Sequence, residues 1–210
     1  MYTLVIKNAT VIDGLGNAPF VADIGIENGK IKRIEKGLCD TEKTVDATGL
    51  TVTPGFIDSH SHSDRTVITF PDQKEKIEQG ITFSITGQCG TSEAPAVLRD
   101  SQGLLPPSEY FSKVKDIPQG SYSAMLIGHN SLRSAVMGNA NREPTSEELG
   151  RMKELLREGL LAGVVGMSIG LFYVPGAYAK IDEVIELARV VAEHGGIIAA
   201  HLRNEGDNLI

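Results

Sequence analysis

The stretch PGFIDSHSHSD, residues 54–64, decides how the rest of the chain is read. A Pro-Gly pair closes one segment, Phe56-Ile57 opens a strand, and Asp58, His60 and His62 then recur at every second position. Residues two apart in a strand share a face, so these three side chains are expected to project the same way. The whole chain has 5 histidines, and two of them stand here. Two imidazoles on one face can grip one ion, and zinc takes imidazole and thiolate readily. A pair of hydrogen-bonded core histidines is the plain alternative.

On the amino-terminal side, residues 2–53 read as short strands and tight turns. Asn28-Gly29, between alternating apolar residues, is a hairpin signal. A small β-sandwich module over 1–53 is expected, with a second unit over 54–210. After Pro54, strand-like runs at 55–62, 81–90, 122–130, 164–171 and 196–204 alternate with helix-like ones, the pattern of a parallel sheet with crossover helices. Residues 146–161 and 181–193 carry apolar residues at helical spacing. Thr145 with Glu148 fits a capping box, and Gly195-Gly196 closes the second helix. The proline-rich segment 91–120 reads as a long loop with a short helix, of the kind that covers a site.

No Rossmann glycine fingerprint follows the first strand, which favours a (β/α)8 TIM-type barrel over a doubly wound sheet. Such a barrel takes about 250 residues, and the 210 residues here place five of its strands before ending at DNLI. The chain is therefore expected to be the N-terminal portion of something longer, an incomplete barrel. Two open sheet edges and uncovered apolar faces would make self-association a natural outcome.

The net charge of −7, with no basic run, argues against nucleic acid and anionic membranes as partners. The N-terminus lacks a basic segment followed by an apolar run, and no stretch is long and apolar enough to span a bilayer. Cys39 and Cys89 lie in unlike contexts and give no disulfide framework, which fits a reducing compartment. A cytoplasmic location is the expectation.

Cys89 ends the second strand-like run in GQCG, where flanking glycines allow close backbone approach to an ion. A buried inert thiol is the alternative. His201 ends the fifth run in AAHLRNEGD, again at a carboxyl end, as a ligand or a hydrogen-bonded closing residue. His129, in GHNSLR, is read as a site-lining hydrogen-bonder, and His194 as a helix-terminal residue without a site role. Tyr173 and Tyr178 line a substrate pocket or simply pack. Arg203, Glu205 and Asp207 orient ligands or form a salt-bridged loop. Cys39, between charged residues, is read as a surface thiol.

Taken together, the HxH after a small β module resembles the amidohydrolase superfamily. GQCG, GHNSLR, GLFYVPGAYA and AHLRNEGD, in that order, resemble more narrowly the N-acyl-D-amino-acid deacylases, along the whole chain. The resemblance implies one or two zinc ions: His60 and His62 at one position, Cys89 and His201 at a tighter one, with Cys89 as a possible bridge. It also implies amide cleavage of a small-molecule N-acyl-D-amino acid to a carboxylate and a free D-amino acid. The expected catalytic aspartate lies beyond Ile210, as does a further histidine ligand. The alternatives are a cyclic-amide hydrolase of the hydantoinase or dihydroorotase kind, which carries a carboxylated lysine instead, and an inactive incomplete fragment.

Overall fold

The structure, a computed structural model, describes residues 1–39, 41–97 and 103–207. The chain divides into two compact units, Met1–Gly55 and Phe56–Ile210. In the first, β1 (Leu4–Val11) pairs antiparallel with β2 (Phe20–Glu27), and β2 with β3 (Lys30–Glu35). β1 also runs parallel to the short β4 (Thr44–Asp46) and β5 (Thr51–Val52), giving one mixed sheet of five strands. Asn28 and Gly29 have φ of 52° and 70°, the left-handed pair whose twist matches a hairpin. Ala9, Val11, Ala22, Ile24 and Ala47 form the small core of this unit.

The second unit begins with β6 (Phe56–Asp58), a one-turn helix α1 (Lys74–Ile77) and β7 (Ile81–Thr86). A ribbon of β8 (Ala96–Val97) and β9 (Leu104–Leu105) precedes α2 (Pro107–Val114). Then follow β10 (Tyr122–Gly128), α3 (His129–Met137), α4 (Ser146–Ala162), β11 (Gly166–Gly170), α5 (Ile181–Glu193) and β12 (Ile197–His201). The sheet order is β6-β7-β10-β11-β12, all parallel. Strands are added in chain order and in one direction. There is no reversal of the kind that marks a doubly wound sheet, so growth is barrel-like and every carboxyl end falls on one side.

Local rules account for the long helices. Glu148 N–H donates to Thr145 Oγ1 at 3.2 Å, and Thr145 N–H to Glu148 Oε2 at 2.8 Å, so the capping box forms and α4 starts where it should. Met152, Leu155 and Leu156 of α4 are fully buried in one cluster with Ile127, Met167 and Leu187. The strands are shorter than the strand-like runs of the sequence. The run 55–62 leaves the ladder after Asp58, and 129–130 already belong to α3, a helix the sequence reading does not contain. In the segment 91–120, residues 98–102 lie outside the described residues, as do 208–210 of DNLI. No helix among the described residues is long and apolar enough to cross a membrane.

α3 and α5 are tied by a buried ionic group. His129 and Arg133 are fully buried, with His129 Nε2 2.7 Å from Glu183 Oε1 and Arg133 Nη1 donating to Glu183 Oε2. The structure thus places the His129 ring in the interior against Glu183, and not on an open surface. Burial pushes the Glu183 carboxyl up, but His129 and Arg133 outweigh it and hold it below the ordinary range. A carboxyl depressed in the folded state stabilises the fold above its unfolded value near 4.5, and this is lost as pH falls through the lower folded value. Glu183→Gln is expected to lower unfolding free energy at neutral pH by about 3 kcal/mol, because it strands a buried guanidinium. Urea denaturation should show that gap closing as the pH falls below 4.5 and through the lower folded value.

Candidate metal centre

Beyond Asp58 the chain stays beside β7, because Ser61 N–H donates to Ile85 O at 3.0 Å. This carries His60 and His62 just past the strand end, with ring centroids 5.7 Å apart at 75°. β7 ends in a tight turn in which Gly87, Cys89 and Gly90 have φ of 70°, 54° and 77°. A left-handed cysteine is uncommon and disfavoured by roughly 1–2 kcal/mol. Here it turns Sγ to within 3.1 Å of His60 Nε2. Ligand atoms of His60, His62 and Cys89 all lie within 4.8 Å of one another, the one such group of three among the described residues. Both imidazoles are exposed and the thiol half-buried, so an ion could reach them. Imidazole and thiolate donors suit zinc. Burial pushes the Cys89 thiol up, and the Glu205 charge adds to it.

The cysteine turn is fixed from three directions. Ser168 of β11 accepts from Gly90 N–H at 3.0 Å and donates to Gly87 O at 2.5 Å. The first turn of α3 takes Gly90 O through Asn130 N–H at 2.8 Å, while Asn130 Nδ2 donates to Gly170 O and Tyr173 O, both at 3.2 Å. On the histidine side, buried Asp64 accepts from Gly87 N–H at 3.2 Å and Glu93 N–H at 2.8 Å, so the two ligand loops share one carboxylate.

His201 ends β12 but stands outside the group of three. Its ring lies 4.9 Å from that of Tyr173 and 5.8 Å from that of Phe172, centroid to centroid. Its Nε2 faces Glu205 Oε1 at 2.9 Å, without hydrogen-bond geometry. Tyr178 is half-buried in the short turn Gly176–Tyr178, which Arg203 clamps by donating to Ala177 O at 3.3 Å and Ala179 O at 3.0 Å. His194 ends α5 and contacts Val190 O through Nδ1 at 2.9 Å, and Cys39 is exposed.

Sequence reasoning passed over Lys76, Asp64, Ser168 and Asn130. Lys76 stands in DQKEKIEQ, a charged run that reads as a solvated face, and the others have no periodic signal. Asp58 shares the period of the two histidines yet turns away from them: Oδ1 accepts from His60 N–H at 3.2 Å and Oδ2 lies 3.2 Å from Lys76 Nζ. Close packing over the cysteine turn gives a direct test. A Cβ on Gly170 would lie 2.0 Å from Cys89 O, a backbone atom that cannot swing aside. Gly170→Ala is expected to destabilise the protein by about 1–3 kcal/mol and to weaken metal binding, measured by thermal unfolding and by zinc titration.

Comparison with known proteins gives the family and the fold. A model of the Amidohydrolase family matches residues 43–203. The D-aminoacylase of Alcaligenes xylosoxydans xylosoxydans is 36% identical over 222 residues, covering 100% of this chain and 46% of that protein. A solved D-aminoacylase, studied for its binuclear metal center, superposes with a TM-score of 0.93 at 33% identity, over 100% of this chain and 47% of that one. The N-acyl-D-glutamate deacylase of Bordetella bronchiseptica, solved with zinc and a phosphonate inhibitor, gives 0.91 at 36%, over 99% and 46%. An L-hydantoinase from Arthrobacter aurescens, at TM-score 0.66 and 21% identity over 98% and 42%, shares the fold alone. The chain spans about half the length of the curated relatives it matches.

Proposed function

The chain belongs to the amidohydrolase family, and from that premise we propose that it provides the metal-holding part of a zinc-dependent N-acyl-D-amino-acid deacylase. The reaction is hydrolysis of the amide to a carboxylate and a free D-amino acid. One observation carries the reading: two imidazoles and a thiol from different loops converge at the carboxyl ends of neighbouring strands, with His60 Nε2 and Cys89 Sγ 3.1 Å apart. The deacylase relatives support the choice of substrate class, and the zinc complex of one of them supports the metal. We assign His60, His62 and Cys89 as ligands of one or two zinc ions, with His201 as the ligand contributed by β12.

Zinc at these residues would supply Lewis-acid polarisation of the amide carbonyl and activation of water. The chain's own groups prepare that site. Cys89 must lose its proton to ligate and His60 must be neutral, and Sγ and Nε2 face each other at 3.1 Å. Gly170 keeps a side chain off the Cys89 carbonyl, and Ser168 and Asn130 hold the turn still. Asp58 and Asp64 have both carboxylate oxygens committed to hydrogen bonds, so neither is assigned the proton transfer to the leaving amine. On the substrate side the reading retains Tyr178. The two free cysteines fit a reducing, cytoplasmic setting.

Cys89→Ala in the full-length protein is expected to abolish tight zinc binding and to lower turnover of N-acetyl-D-amino acids about 100-fold. Zinc content by mass spectrometry and turnover unchanged from wild type would sink the assignment. Hydrolysis of hydantoins in place of N-acetyl-D-amino acids would transfer the protein to the cyclic-amide hydrolases.

A further inference from the structure

One charged group in this unit lies in the interior with no part in the chemistry above. Lys76 is 8% exposed, and its ammonium has four oxygens around it: Ser84 Oγ at 2.6 Å, Ser61 Oγ at 2.7 Å, and Asp58 Oδ2 and Ser63 Oγ at 3.2 Å. An ammonium has three protons to give, so these acceptors satisfy it fully. A buried charge is tolerated only when paired and hydrogen-bonded in this way.

The sequence positions of the partners give the arrangement its meaning. Asp58, Ser61 and Ser63 alternate with the two histidines, one before His60, one between the pair and one after His62. Ser84 belongs to β7, the strand whose end presents Cys89. The ammonium thus ties the histidine loop, at three points, to the strand that presents the thiol. Asp58 is also occupied by it. Of the Asp-x-His-x-His series, the carboxylate is the member whose oxygens face Lys76 and the His60 backbone, and it stands outside the cluster of ligand atoms.

We propose that Lys76 is the positioning residue of the metal site: it fixes His60 and His62 against Cys89 and holds Asp58 back from the ion. This rests on the zinc-hydrolase reading above. Outer groups that orient ligands typically change metal affinity 10- to 100-fold when removed.

The test uses the full-length protein, wild type beside Cys89→Ala, Lys76→Met, and Lys76→Met with Asp58→Asn. Zinc affinity is read by chelator competition, and coordination by the visible spectrum of the cobalt-substituted protein. Lys76→Met is expected to bind zinc at least ~10-fold more weakly. Its cobalt spectrum should change as Asp58 joins the ion, and Asp58→Asn in the same background should reverse that change. Wild-type affinity and spectrum in Lys76→Met would overturn the proposal. If that variant does not fold, Ser84→Ala decides, since it deletes only the tie to β7: weakened zinc binding supports the proposal and unchanged binding overturns it. Full zinc retention in Cys89→Ala would instead remove the zinc-hydrolase reading itself, a separate outcome from failure of the lysine's role.

Discussion

Parallel pairing in chain order is the constraint on which the second unit depends. Because β6, β7, β10, β11 and β12 run the same way and follow one another across the sheet, every strand delivers its last residue to the same side. Residues 60, 89 and 201 reach that side by this rule alone. Antiparallel insertion of any one strand would send its terminal side chain to the far end of the sheet. The topology therefore selects which residues are available for chemistry before any side-chain contact is made.

What the topology leaves open, buried polar contacts settle. Asp64 joins the two ligand loops, Ser168 crosses from β11 to the cysteine turn, and Asn130 links that turn to the residues after β11. Each contact is worth only about 1 kcal/mol net, but leaving any of these buried partners unmade is penalised more heavily. The site is therefore held by a web that fails at several points when broken at one. The His129–Arg133–Glu183 group does the same for the helical layer behind it.

Much of this could be read in the chain and some could not, for identifiable reasons. The hairpin at Asn28-Gly29, the capping box at Thr145 and the extent of α5 are local events, set by residues within a few positions, and the structure has them as read. His60, His62 and Cys89 were visible because a period of two and a pair of glycines are local marks too. Strand lengths were overestimated because the alternation of residues two apart continues after the regular ladder has ended, as in Ser59-His60-Ser61-His62. The burial of His129 had no local mark because its partner, Glu183, is 54 positions away. Lys76 had no local mark at all: burial is decided by long-range packing, and a lysine among charged residues looks solvated until the sheet closes over it.

The backbone at Cys89 carries a further consequence. The residue sits at φ 54°, in the region where a glycine is at ease and a cysteine is not. Stability and function therefore prefer different residues at one position. In a population of variants screened for heat resistance alone, glycine would be enriched there and the thiol lost, leaving a sturdier protein blind to its ion.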